Sequence, residues 1–293
     1  MHSCRIATLA DRMILAVGGA DARSFLQALV SNDVAKATAG QAIYAALLTP
    51  QGKFLFDFIL IEHDGRLLLD CEAARAPALA KRLGLYRLRA EVAIEPLADW
   101  RVLAAWGDGA AAAFELTERA GCATAWQGGT ALVDPRLAML GIRLLLPARA
   151  SLPALAAATA DDYDRHRLAL GVPDGSRDIE VEKATLLESN FEDLNGVDFT
   201  KGCYVGQEVT ARTKYRGLVR KRLMRVDFEG PPPMPGTPIT LGDSEVGTLL
   251  SGHQGMALAL LRLEQVDEAV RSGSPLTAAG RVVRPVKPAW ASF

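Results

Sequence analysis

The sequence predicts an α+β protein that ends in a small all-β domain, and three observations predict it. At 293 residues the chain is near the upper limit for one hydrophobic core, so two or three modules are expected. Strand, helix and strand patterns recur through its first half, as in antiparallel sheets covered by helices on one side. From Leu218 the character changes to short strand-like runs separated by Gly and Pro turns, the pattern of a small antiparallel barrel or sandwich.

The elements follow in order. Residues 4–17 read as two short strands split by Asp11-Arg12. Asp21 is placed to cap a helix carrying Phe25, Leu26, Leu29 and Val30 at helical spacing, and Asn32-Asp33 stops it. A strand over 42–48 runs into the turn Thr49-Pro50-Gln51-Gly52, and after it Phe54 to Ile59 forms a strand apolar on both faces except at Asp57. His63-Asp64-Gly65 turns that strand into a partner over 66–70. A helix over 73–83 is expected to end at Gly84, strands follow over 88–95 and 100–106, and an alanine-rich helix over 109–120 stops at Gly121. Two short strands flank Gly128-Gly129, and 139–146 is a further strand. Residues 153–160 and 161–170 read as helices, and 173–185 as an acidic exposed loop. Strands are expected over 223–228, 239–241, 245–250, 257–263 and 281–286, with a short helical turn at 266–270.

Composition excludes several function classes. The 49% hydrophobic share is that of a folded protein, and a net charge of -1 exerts no long-range pull on nucleic acid or membrane. Cys4, Cys71, Cys122 and Cys203 match no metal-knuckle spacing, so no permanently bound metal is expected. Apolar runs such as Met256 to Leu261 are far too short to span a bilayer. Free thiols and the absence of a recognisable leader make a reducing cytoplasm the expectation.

One stretch concentrates reactive groups: Lys201 to Lys214, KGCYVGQEVTARTK. Between Asp174 and Asp198 eight acids stand against two bases, whereas between Lys201 and Arg225 eight bases stand against Glu208 alone. Cys203 lies at that junction. A helix opening just after Gly202, with Lys201 beside it, would favour a reactive thiolate; a buried structural thiol is the alternative reading. Tyr204, Gln207 and Glu208 share a helical face, and Glu208 with Arg212 is an i,i+4 ion pair in the favourable orientation, which equally suits a solvated surface. Gly202 and Gly206 either build a turn or let a flat ligand approach the backbone. Asp57 faces solvent from an open sheet or sits in a pocket, where it needs a partner. Glu188 is either a surface glutamate or projects into a cavity. Arg216, Arg220, Lys221 and Arg222 suit a phosphate patch, a solvated strand face or a docking surface, and aromatics are too sparse for a nucleic-acid stacking platform.

KGCYVGQE at 201–208 resembles the signature of the YgfZ/Iba57 family, folate-binding proteins related to the aminomethyltransferase (T protein) of the glycine cleavage system. TART after it, Asn195-Gly196-Val197-Asp198-Phe199 before it, LLTPQGKFLFDF at 47–58, GVP at 171–173 and Pro288-Ala289-Trp290 extend the likeness over nearly the whole chain. The resemblance implies a ring of two α+β (ferredoxin-like) modules, 1–38 with 136–215 and 39–135, and a C-terminal antiparallel β-barrel, 216–293, around a central cavity. It implies a tetrahydrofolate or related folate ligand and a role in the maturation or repair of iron–sulfur proteins, supporting tRNA modification indirectly. Transient partners would be iron–sulfur enzymes or cluster-assembly proteins, with neither membrane nor direct nucleic-acid binding. Cys203 matches the functional cysteine, Lys201, Tyr204, Gln207 and Glu208 its motif neighbours, Glu188 the pterin-binding glutamate, and Asp57 lies near the transferases' catalytic aspartate. Arg212 suits the anionic folate tail. The transferases carry two adjacent acids where this chain reads Phe56-Asp57-Phe58, so an accessory factor is expected rather than an aminomethyltransferase. A folate-dependent methyl or aminomethyl transferase and an RNA-binding protein are the alternatives.

Overall fold

The computed structural model describes residues 4–217 and 219–293. Leu218, where the barrel-like pattern opens, lies outside them, as do residues 1–3. The chain divides into two compact units. One comprises the chain up to Pro50, Leu55–Tyr163 and Leu194–Gln207; the other comprises Gln51–Phe54, Asp164–Asp193 and Glu208–Phe293. The architecture is mixed α+β, with two sheets and a closed six-stranded barrel, as the sequence predicts.

The first unit holds both sheets. After β1 (Arg5–Thr8) and β2 (Arg12–Gly18) come α1 (Ala22–Gln27), β3 (Ile43–Leu48), β4 (Phe54–His63) and β5 (Arg66–Glu72). Then follow α2 (Ala76–Tyr86), β6 (Ala93–Pro96), β7 (Trp100–Trp106), α3 (Ala110–Ala113), β8 (Ala123–Trp126), β9 (Gly129–Val133), β10 (Ile142–Pro147) and β11 (Ala156–Ala157). The five-stranded sheet has the order β3-β4-β5-β2-β6, and the six-stranded sheet the order β11-β1-β7-β10-β9-β8. Phe54 to Ile61 is buried without a break, which is why β4 reads as apolar on both faces.

Several boundaries differ from the pattern-based expectation, among them the strand expected over 88–95, which is only β6, Ala93–Pro96, because the residues before it form a turn. Gly84 keeps α2 going to Tyr86, and the left-handed residue that ends the segment is Leu88. The alanine-rich stretch after Gly109 makes only the short α3, because Phe114 must reach the core and alanine buries little area. Ala156–Ala157 is strand rather than helix. Its backbone fills the free edge of β1, with Ala156 N donating to Cys4 O and Ala158 N to Ile6 O. Residues 173–185 are not an exposed loop, since α5 (Gly175–Asp178) lies within them and Asp178 is buried.

The second unit centres on the barrel. Its strands are β12 (Lys221–Asp227), β13 (Pro238–Leu241), β14 (Ser244–His253), β15 (Met256–Arg262), β16 (Leu276–Ala278) and β17 (Arg281–Val286), closed in the order β12-β15-β14-β13-β16-β17. Val226, Ile239, Val246, Leu249, Leu261 and Val283 fill its interior. The helical turn expected at 266–270 extends to α7 (Leu263–Ser272), because Leu263, Val266 and Ala269 repeat at helical spacing and pack on that interior. β16 was not visible as a strand in the sequence: three residues are too few to show alternation. Arg167, on α4 (Ala160–Ala169), donates to Asp178 at 2.6 Å and to Ser251 Oγ at 2.7 Å, so one buried guanidinium ties α4 and α5 to β14.

In the first unit a buried chain of charges joins the two sheets. Arg12 of β2 meets Asp70 of β5 at 2.7 Å; Arg143 of β10 lies 3.6 Å from Asp70 and 3.4 Å from Asp134; Arg136 grips Asp134 through Nε and Nη2 at 3.0 and 2.7 Å. Burial pushes the Asp134 carboxyl up, but the two guanidinium groups outweigh it and hold it below the ordinary carboxylate range. Asp134→Asn should therefore cost about 3–5 kcal/mol in denaturant unfolding, since it removes the buried carboxylate charge that Arg136 and Arg143 share. Lys183→Ala, at an exposed pair with Glu180, should leave the midpoint unchanged.

Candidate functional site

The stretch from Asn195 to Gln207 is held against the C-terminal end of α1 and the residues after it. α1 ends at Gln27, earlier than the stop expected at Asn32-Asp33, and the polar groups of Ser31 and Asn32 beyond it take up the passing chain. Ser31 Oγ donates to Gly196 O at 2.6 Å, Asn32 Nδ2 to Asn195 O at 2.8 Å, and Asp198 N to Ser31 O at 3.0 Å. Asn195 is left-handed (φ 57°), and its own amide donates to Pro135 O at 3.2 Å. Asp198 accepts from Thr200 N and Oγ1, both at 2.7 Å, and from Lys36 Nζ at 2.6 Å. Burial pushes its carboxyl up, yet these donors win and bring it down to about 2.

Lys201 locks the next turn. Its ammonium donates to Gln27 O at 2.7 Å and Val30 O at 2.5 Å, carbonyls at the end of α1 that lack helical partners, and it lies 5.1 Å from the centre of the Tyr204 ring. Burial lowers its pKa to about 8, against the pull of Asp33 and Asp198. Gln27 Nε2 donates to Lys201 O at 3.3 Å, Val205 N to Ala28 O at 3.3 Å, and Tyr204 N to Gln207 Oε1 at 3.0 Å. Gly202 (φ 93°) and Gly206 (φ 82°) take left-handed turns on either side, which a side chain would resist. Between them Tyr204 is buried and Cys203 is exposed. The helix expected to start after Gly202 starts only with α6 (Gln207–Tyr215), four residues beyond Cys203. The thiol is therefore presented by a fixed loop rather than by a helix end.

Beside this stretch, within the first unit, is a cleft of about 820 Å³ whose lining includes Asn32, Lys36, Tyr44, Asn195, Asp198 and Phe199. Under Tyr44 lies Asp57, 4% exposed, with its Oδ2 accepting from the Tyr44 hydroxyl at 2.8 Å and its Oδ1 without a hydrogen-bond partner. Asp57 is thus buried rather than facing solvent from an open sheet. Burial raises its pKa to about 6, although Arg12 and Arg136 oppose the shift. Phe56 is buried beneath the Arg75 guanidinium at 4.3 Å.

The remaining candidates belong to the second unit. Glu188 is half-buried, and its Oε2 accepts from Thr185 at 2.8 Å. Glu208 and Arg212 are exposed on α6 and, among the described residues, form no ion pair. The basic run does not make a continuous patch: Arg222 is buried, donating to Leu187 O at 2.7 Å and stacking on Phe293, while Lys214 pairs with Glu192 and Arg225 with Asp227. Sequence reasoning missed Tyr44, Lys36 and Asn32 as neighbours of the signature. Asn32-Asp33 carried a readable signal, but only as a helix stop. Among the described residues no group of three or more His, Cys, Asp or Glu is arranged to hold a metal, and no helix is long and apolar enough to cross a membrane.

Comparison with known proteins adds three findings. Residues 220–293 match the family model described as CAF17, C-terminal beta-barrel domain. The chain is similar to the mitochondrial iron-sulfur cluster assembly factor IBA57 of Homo sapiens, 40% identical over 281 residues that cover 88% of this chain and 77% of that protein. The Mus musculus protein of the same name is 36% identical over 284 residues, with the same two coverages of 88% and 77%. Among solved structures, the glycine cleavage system aminomethyltransferase T of Bartonella henselae superposes with a TM-score of 0.79, covering 99% of this chain and 86% of that one at 18% identity, a likeness of fold.

Replacing Asp57 tests the electrostatics. Its folded pKa lies above the unfolded value of 3.8, so the native state holds this proton more tightly, and the group costs nothing below pH 4 but destabilises progressively as pH rises through 6. Asp57→Asn should thus be as stable as wild type at pH 3.5 and up to about 3 kcal/mol more stable at pH 7.5, read by urea unfolding at the two pH values. Lys201→Met should speed hydrogen exchange at the Val205 amide by about tenfold or more, because the turn loses its grip on α1.

Proposed function

Because the chain belongs to the IBA57 family of iron–sulfur cluster assembly factors, we propose that it serves the maturation or repair of iron–sulfur proteins as a folate-binding accessory factor and that Cys203 is its working group. The observation that carries the proposal is the exposed thiol at the apex of a loop locked by Lys201, Gln27 and Gln207. A fixed, accessible cysteine sulfur can offer one ligand to a cluster in transit, and the other ligands must come from the donor or acceptor protein. Cluster proteins and cluster-assembly proteins are therefore its transient partners. Support of tRNA modification follows indirectly, through the cluster enzymes that perform it. The four cysteines are free, in keeping with the reducing cytoplasm we assign to the chain.

The residues present fit a reduced folate. In the second unit Glu188 is half-buried and accepts from Thr185 through Oε2, and in the first unit Asp57 has its Oδ1 buried without a partner; each, taken by itself, is an acceptor of the kind that pterin amino and ring N–H groups require. Arg212 is exposed and suits the anionic tail. When bound, a reduced folate supplies one-carbon carrier chemistry. Against a transferase stands the reading Phe56-Asp57-Phe58, a single acid between two apolar residues where the resemblance to the transferases implies two adjacent acids. Against an RNA-binding protein stands the basic run, whose Arg222, Lys214 and Arg225 are engaged within the fold.

Two measurements test this reading. Tetrahydrofolate should bind the purified chain under argon, and Glu188→Ala should weaken it by about tenfold or more; a flat titration with the wild-type chain removes the folate ligand from the proposal. In cells lacking their own homologue, the wild-type chain should restore cluster-enzyme activity. Cys203→Ala, with an unchanged melting temperature, should not, and full restoration by that variant would end the role given to the thiol.

A further inference from the structure

The turn between α2 and β6 contradicts its surroundings three times over. Leu88 is 90% exposed and Leu85 63% exposed, two large apolar side chains four residues or fewer apart. Leu88 also has φ 44°, the left-handed region that disfavours every residue with a branched or bulky side chain. Residues 81–90 (KRLGLYRLRA) contain four cations, Lys81, Arg82, Arg87 and Arg89, and no acid, in a chain whose net charge is -1. Among the described residues none of the four is in an ion pair. A single exposed leucine needs no explanation, but a strained one beside a second leucine and four unpaired cations does.

The turn is built rather than loose. Ala90 N donates to Arg87 O at 2.7 Å and Val92 N to Ala90 O at 3.0 Å, and the Arg87 guanidinium reaches Val92 O at 3.4 Å. Its far end is clamped to the start of α1: Glu91 N donates to Asp21 Oδ2 at 2.8 Å and Asp21 N to Glu91 O at 3.3 Å. That clamp takes the Asp21 carboxylate away from the helix-capping role its position suggests. Gly19 admits this approach, since a Cβ there would stand 2.0 Å from Glu91 O. A rigid knob loses little entropy on docking.

We propose that this turn is a docking knob for a folded protein partner whose surface offers an apolar pocket rimmed by carboxylates, Leu88 entering the pocket while Arg87 and Arg89 meet the rim. The charge favours an acidic partner and steers the encounter. Two leucines bury too little for stable attachment to a bilayer. Tyr86, the one aromatic residue in the turn, is half-buried and offers no stacking platform to a nucleic acid. The proposal stands apart from folate and Cys203.

The test places a benzoylphenylalanine photo-crosslinker at position 88 of the full chain in intact cells, with exposed Val270 as the control position. The protein joined at 88 and not at 270 is identified, purified and titrated against the unlabelled chain. We expect an acidic protein whose binding falls about tenfold or more with Arg87→Glu/Arg89→Glu and with Leu88→Gly. Leu88→Gly relieves the strained backbone, so its melting temperature should not fall, which separates docking from folding. The proposal is overturned by crosslinks only to lipid or RNA, by no crosslink specific to 88, or by unchanged affinity in either variant.

Discussion

The first unit depends on one buried run of charges, Arg12–Asp70–Arg143–Asp134–Arg136, that crosses from one sheet to the other. Asp70 and Asp134 are fully buried, and Arg143 and Arg136 are nearly so. Each member is tolerable only because its neighbours are in place, so the sheets have one register in which every charge is answered. The run ends where the candidate site begins. Arg136 lies 5.7 Å from the Tyr44 ring centre, and the Pro135 and Arg136 carbonyls accept from the Asn195 amide that starts the signature segment. Asp57 sits in the field of Arg12 and Arg136, and burial nevertheless dominates its titration.

The way Cys203 is displayed follows from backbone accounting. α1 ends with carbonyls that have no intrahelical donors, and the signature segment supplies them from Lys201 and Val205. The loop is thereby fixed at its base while its apex carries no packing obligations. Lys201 spends its ammonium on that anchoring, which gives the lysine next to the cysteine a mechanical role. Proximity in sequence suggests an electrostatic role instead, and only the hydrogen-bond partners distinguish the two.

The second unit is held by analogous devices at its own scale. Arg167 and Asp178 are paired inside it, and Arg222 is sandwiched between Leu187 O and the Phe293 ring. The Trp290 indole donates to Leu170 O at 2.7 Å, so the GVP and PAW segments that carry the family likeness are joined through one hydrogen bond at their borders. Charged residues in acid-rich or base-rich stretches look solvated when counted along the chain, yet several of these are structural, because a buried arginine has enough donors to satisfy carboxylates and carbonyls together.

By itself the sequence determined the α+β class, the β4–β5 hairpin, the C-terminal barrel and the stretch where the signature lies. All of these rest on local periodicity, on turn residues or on contiguous motifs, which survive in one dimension. Tertiary structure alone decided that Asp57 is buried under Tyr44, that Asp178 and Arg222 are interior, that Leu88 rather than Gly84 ends the α2 segment, and that Cys203 stands on a loop. Those outcomes turn on partners far away in sequence, such as Tyr44 thirteen residues from Asp57 and Gln27 far upstream of Lys201. Burial, desolvation and hydrogen-bond satisfaction are properties of the neighbours that folding brings together, and local propensity yields to them wherever the two conflict.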